Sequence, residues 1–225
     1  MNTAQIPAST LEFLQSLKEN NNREWFRVHK DRYQKELGHM KTFIEALRHR
    51  MDEHDLIERH RLYRIYRDVR FRKDKTPYKS EWGGSFRRQK PQLRGGYFFA
   101  ISPGNSVAEG GFWGPNKEDL LLIRKKLTWD HEEMNRVLSE PTFSQTFGKL
   151  QGQKVKTAPR GFSVEEPGID LIRHKQFYVI RSFTDEEVLD TDFMDLLVDT
   201  FCALRPFFDY MTDLLTTDLN GEALI

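Results

Sequence analysis

One cysteine, Cys202, stands in 225 residues, so no intramolecular disulfide can form and a disulfide framework is excluded. It lies in the apolar run Val198-Asp199-Thr200-Phe201-Cys202-Ala203-Leu204, where a small buried hydrophobe is expected. No stretch approaches the roughly 18 consecutive apolar residues of a membrane span. The opening residues, Met1-Asn2-Thr3-Ala4-Gln5-Ile6-Pro7, lack the charged start and apolar core of a secretory leader. These absences lead to the expectation of a soluble, cytoplasmic protein with no membrane contact. The histidines never fall four residues apart and have no cysteine pair nearby, so no metal site is expected. A Gly-x-Ser-x-Gly elbow and a glycine-rich phosphate loop are also missing, so neither a nucleophile nor a cofactor is announced.

An excess of charge of one sign is lacking too, at a net +1, but the balance is unevenly spread. Residues 58–94 hold 13 Lys/Arg against 4 Asp/Glu, a local +9, which leaves 22 basic against 30 acidic residues, or −8, elsewhere. A concentrated field of one sign attracts an anion even when the whole molecule is neutral. A solvated basic face set against acidic helices gives the same count.

What the chain does have is 17 Phe, 7 Tyr and 4 Trp, enough for an aromatic-rich core. Ser9-Thr10-Leu11-Glu12 reads as a capping box, and Leu11, Phe13, Leu14 and Leu17 follow at helical spacing until Asn20-Asn21-Asn22. A second helical stretch runs from about 23 to 54, with an interruption expected near Gly38. Short aromatic or β-branched runs then appear at 62–71, 80–87, 96–102 and 107–113, punctuated by glycine pairs and by the turn Pro103-Gly104-Asn105. Helices are expected again from Pro115, over 131–138 and over 143–150, with a last strand at 176–183. Thr184-Asp185-Glu186-Glu187 is another capping box, and Pro206 divides the final apolar stretch into two helices. The expectation is one α+β domain over residues 1–225. Its antiparallel sheet of about five strands carries N-terminal, central and C-terminal helices packed on it.

The chemistry concentrates in Arg64-Ile65-Tyr66-Arg67-Asp68-Val69-Arg70-Phe71. As a strand, it puts Ile65, Arg67, Val69 and Phe71 on one face and Arg64, Tyr66, Asp68 and Arg70 on the other. Arg67 then points inward, and its charge requires either a protein carboxylate or a bound anion. Asp68 forms a plain ion-pair ladder with Arg64 and Arg70, or aims their forks at a phosphate or carboxylate. Pro77 ends the strand, so residues 73–79 form a loop that carries Lys75 and Tyr78 to its end. This gives a module for an anionic small molecule, phosphorylated or nucleotide-like. Arg64, Arg67, Arg70 and Lys75 contact the anion, Asp68 orients arginines and Tyr78 donates a hydrogen bond. An enzyme acting on such a ligand, with Asp68 or Glu109 as general base, is the alternative. A nucleic-acid or protein interaction module is the third reading, with near-neutral charge weighing against nucleic acid. Phe98, Phe99, Phe112 and Trp113 serve either as a stacking platform for a base or as core. Nothing in the sequence specifies an oligomeric state.

The Arg-x-x-Arg-Asp-x-Arg-Phe pattern at 64–71, followed by Asp74-Lys75 and Tyr78, resembles the signature of a family of bacterial and fungal proteins, domain of unknown function 2461. Asn20-Asn21-Asn22-Arg23-Glu24-Trp25-Phe26, Gly111-Phe112-Trp113-Gly114-Pro115 and Pro159-Arg160-Gly161-Phe162 are similar to further segments of that family. Arg72 stands where many members have serine, which makes this copy more basic. The resemblance implies a full-length domain in an intracellular setting and carries no activity with it.

Overall fold

The computed structural model describes residues 4–71 and 73–224, so Arg72 and the first three residues of the opening stretch lie outside the described residues. Three helices come first, α1 (Ala8–Glu19), α2 (Arg23–Val28) and α3 (Lys30–Asp52). Four strands follow, β1 (Ile57–Leu62), β2 (Trp82–Arg88), β3 (Gly96–Ile101) and β4 (Ser106–Phe112). Then come α4 (Lys117–Trp129), α5 (His131–Ser139), α6 (Pro141–Phe147), the short α7 (Ile169–Ile172) and β5 (Phe177–Phe183). The chain closes with α8 (Asp185–Leu189), α9 (Phe193–Cys202) and α10 (Arg205–Thr216). The strands form one antiparallel sheet in the order β1-β2-β3-β4-β5, and the fold is α+β with N-terminal, central and C-terminal helices. Among the described residues no helix is long and apolar enough to cross a membrane.

Backbone contacts divide the chain into two compact units. The first comprises Met1–Phe86, Phe98–Ala108 and Ser182–Asp199. Its long helix α3 places Tyr33, Met40, Phe43, Ile44, Leu47 and Met51 along one face, and all are buried. Phe43 meets Phe99 at 5.9 Å and Phe193 at 6.1 Å, and Phe183 closes edge-on against Phe193. Gly84 makes this approach feasible, because a Cβ there would fall 2.3 Å from the Phe99 ring and 2.9 Å from Ile44.

The second unit comprises Arg87–Tyr97, Glu109–Arg181 and Thr200–Ile225. Its core joins Tyr97 to Phe201 and Phe208, and Phe112 and Phe143 to Phe207. Among these rings lies a guanidinium, that of Arg88, with no solvent exposure. Its Nη1 donates to the Arg94 carbonyl at 3.0 Å and Thr212 Oγ1 at 3.3 Å, and its Nη2 donates to Asp209 at 3.2 Å. The group also sits 5.1 Å from the Phe208 ring centre. A buried cation persists only when its donors find acceptors, and these contacts meet that condition.

The expected boundaries shift in several places. The first strand occupies Ile57–Leu62 rather than 62–71, for reasons given below. The long helical stretch breaks at His29, which ends α2 and starts α3, and then runs through Gly38; Asn22 caps α2 by accepting the Trp25 N–H. Helix α1 starts after Pro7 without a side-chain cap, because the Ser9 and Thr10 hydroxyls donate instead to the buried Glu36 carboxylate. Cys202, expected to be enclosed, is half-exposed. The Thr184–Glu187 capping box forms in both directions, and Pro206 sits in the first turn of α10. The Pro103-Gly104-Asn105 turn joins β3 to β4, closed by the Asn105 N–H on the Ser102 carbonyl.

Arg88→Ala opens a cavity and strands its acceptors, and is expected to lower stability by about 3 kcal/mol. Arg88→Met refills most of the volume and is expected to lose less. Urea unfolding of both variants checks this, and parent-like stability of Arg88→Ala would count against the role given to its hydrogen bonds.

Candidate functional site

Residues 63–71 and 73–79, all in the first unit, leave the sheet and turn back on themselves. The Tyr63 N–H still reaches the Gly83 carbonyl of β2 at 2.8 Å. Beyond it the chain pairs with its own return: the Arg67 N–H donates to the Pro77 carbonyl at 2.9 Å and the Lys79 N–H to the Ile65 carbonyl at 2.7 Å. Tyr66 and Tyr78 thus form an isolated antiparallel bridge. Pro77 lacks an N–H but still supplies its carbonyl, so the return is short and 64–71 is a hairpin arm rather than a sheet strand. Alternation survives in part: Ile65 is fully buried, Tyr66 is 41% exposed and Arg67 turns back inward. It fails at Phe71, expected on the inner face but 95% exposed.

The charges of this arm are spent mostly on one another. Arg67 Nη1 donates to Asp74 Oδ2 at 2.5 Å and to Thr76 Oγ1 at 2.8 Å, with the Arg67 side chain 24% exposed. Asp74 in turn accepts the Thr76 N–H at 2.9 Å and its hydroxyl at 2.8 Å. Of the two partners open to Arg67, the structure supplies the protein carboxylate, while Arg67 Nε is enclosed without an acceptor among the described residues. The Thr76 backbone and hydroxyl, with Arg67 adding to them, hold the Asp74 carboxyl below its ordinary value. Asp68 takes Arg70 in a two-point pair at 3.0 Å and 2.6 Å, both residues well exposed, and this bond raises the arginine's pKa further. Lys75 Nζ donates to the Val69 carbonyl at 3.0 Å and lies 3.5 Å from the Arg70 carbonyl. Arg64 is exposed.

Tyr78 is 6% exposed, stacked on Phe26 at 4.1 Å and edge-on to Tyr66 at 5.5 Å. Burial raises its phenol pKa, Tyr66 adds to the rise and Arg23 opposes it. Arg23 therefore belongs to the same neighbourhood. Asn21 fixes that neighbourhood: its side-chain amide donates to the Tyr78 carbonyl at 3.0 Å and accepts the Tyr78 N–H at 3.1 Å. An open groove of about 600 Å³ results, lined by Asn21, Asn22, Arg23 and Glu24 on one side and Val69, Lys75 and Pro77 on the other. Sequence reasoning from the arginine pattern missed Asn21 and Arg23, although both stand in the 20–26 segment on which the family resemblance also rests. Glu109 belongs to the second unit, where it accepts the Trp113 indole N–H at 3.2 Å. Phe99 and Phe112 are buried as core, whereas Phe98 and Trp113 are half-exposed.

Asn21→Ala leaves the Tyr78 N–H and carbonyl unpaired and is expected to cost about 1–3 kcal/mol in urea unfolding. The depressed Asp74 carboxyl fixes a pH window: its contribution is complete above the ordinary aspartate value of about 3.9 and is lost only as pH falls through the lower folded value. The Thr76 amide proton is therefore expected to keep its shift, followed by NMR, from neutral pH to below that ordinary value.

No curated protein and no solved structure matches the chain. A family profile described as "Conserved hypothetical protein (DUF2461)" matches residues 9–210, nearly the whole length. The chain belongs to that family.

Proposed function

We propose that the protein is a binding module for an anionic small molecule, phosphorylated or nucleotide-like, received in the groove between 21–24 and 69–77. The observation that carries this reading is that two cations from separate segments, Arg23 and Lys75, line one open groove. Arg70 stands beside it: Lys75 is tied to backbone carbonyls at Val69 and Arg70. An exposed pair such as Asp68–Arg70 contributes little, so an incoming phosphate displaces the carboxylate at small cost and keeps both prongs of the guanidinium engaged. Arg64, exposed on the same arm, adds long-range attraction. Arg67 and Tyr78 act differently, Arg67 by holding the loop through Asp74 and Tyr78 by offering its backbone to Asn21. The local +9 balance of 58–94 supports the reading from charge.

Arg70 and Arg67 are therefore expected to respond in opposite ways to substitution. Arg70→Ala leaves the unfolding midpoint at the parent value and weakens binding of pyrophosphate or a nucleoside monophosphate. Arg67→Ala lowers stability by about 1–2 kcal/mol, the scale of charge-assisted hydrogen bonds at a partly exposed site. Calorimetric titration at rising salt completes the test, since these contacts are screened over about 8 Å at physiological ionic strength. Binding that ignores both salt and Arg70→Ala would falsify the proposal.

A further inference from the structure

The strands of the first unit have two unlike faces. Trp82, Phe86, Phe99 and Ile101 are buried, and Gly84 between them looks onto Ile44 of α3. His60 of β1 turns to the same side, its Nε2 on Glu45 of α3 at 2.9 Å. Alternation sends Arg59, Arg61 and Tyr63 of the first strand region, Gly83 and Ser85 of β2 and Phe98 of β3 to the opposite face. There Tyr63 and Phe98 are half-exposed while Arg59 and Arg61 are exposed.

These two rings converge over Gly83 of β2, their planes tilted 49° to each other. The Tyr63 hydroxyl reaches across to Ser85 Oγ at 3.0 Å, which draws the ring over β2. Beneath both rings is Gly83, where a Cβ would fall 3.3 Å from the Phe98 ring and 3.6 Å from that of Tyr63. The ring centres are 6.3 Å apart. Two cations lie over the Tyr63 ring, the Arg61 guanidinium 5.2 Å and the Lys79 ammonium 5.6 Å from its centre, so a base stacking there displaces them toward its own phosphates. Flat rings have π-faces that stack on any base, and long cationic side chains beside them reach a phosphate backbone.

We infer that this face binds single-stranded nucleic acid, with bases stacked on Tyr63 and Phe98 and phosphates held by Arg59, Arg61 and Lys79. The occupant follows from charge and shape together. Arg59, Arg61 and Lys79 give the face a positive field, which suits a polyanion, and aromatic rings select bases that are free of a duplex stack. The site goes beyond the anion groove and shares none of its residues.

The test uses fluorescein-labelled oligouridylate and oligothymidylate of about ten nucleotides, with the matching duplex and polyglutamate as comparisons, by fluorescence anisotropy at low salt. Expected are single-strand binding that exceeds duplex binding about tenfold, and a loss of about tenfold for Tyr63→Leu and for Phe98→Leu, the scale of one stacked base. Arg61→Gln and Lys79→Gln are each expected to reduce the salt slope by about 0.7, as for one single-strand phosphate contact. Gly83→Ala, which props up the Phe98 ring, is expected to weaken binding without changing any contacting residue. Unfolding midpoints identify variants that fail to fold, and ultraviolet crosslinking of the parent, mapped to the Tyr63 or Phe98 peptide, gives a readout free of substitution. Absence of single-strand binding, equal binding of duplex or polyglutamate, or parent-like binding by folded Tyr63→Leu and Phe98→Leu overturns the inference. Lys75→Gln separates the two readings, because it is expected to impair the groove and to leave oligonucleotide affinity unchanged.

Discussion

The bond from Arg67 to Asp74 and Thr76 decides what the basic arm can do. Without it, the described residues of 68–76, which join no strand of the sheet, would be held only by bonds within the segment itself. With it, the inward-turned guanidinium meets a carboxylate from its own loop, and the return at Pro77 is fixed closely enough for Asn21 to bracket Tyr78. The arm's remaining cations are then presented from a held backbone. A loop already ordered would spare a ligand the ordering free energy.

Arg67 and Arg88 show two solutions to the same electrostatic problem. Arg88 is enclosed and draws its acceptors from a carbonyl, a hydroxyl and an aspartate that is itself 56% exposed. Arg67 is only partly enclosed and relies on a near neighbour in sequence. The first arrangement depends on tertiary packing, whereas the second is available to the isolated loop. Arg88 is therefore the scaffold cation and Arg67 the local clasp.

The parts of the fold that sequence made legible are those governed by short-range repetition. Met40, Phe43, Leu47 and Met51 mark α3 by spacing alone, Thr184 and Glu187 mark the start of α8, and Pro206 marks that of α10. The hairpin between β3 and β4 follows from its turn residues. What escaped is set by contacts that no local pattern marks. Ser9 resembles a cap until Glu36, 27 residues on, takes its hydroxyl. The 64–71 segment has the composition of a strand, yet its backbone partner is the return at 77–79 rather than a sheet neighbour. At the candidate site the alternation of Ile65, Tyr66 and Arg67 was readable. Asn21 was not, because its partner lies 57 residues away and nothing local marks an asparagine as a backbone clamp.

The sheet order leaves β1 at one end, with β2 as its neighbour. An edge strand offers unpaired amides and carbonyls to any other strand that approaches, including that of a second copy. Here that edge bears Glu58, Arg59 and Arg61, all exposed, so two copies approaching edge to edge would bring like arginines together. The same side chains that give the strand its positive field therefore disfavour edge-to-edge pairing of two copies. Replacing them with apolar residues would remove a guard against aggregation as well as a charge.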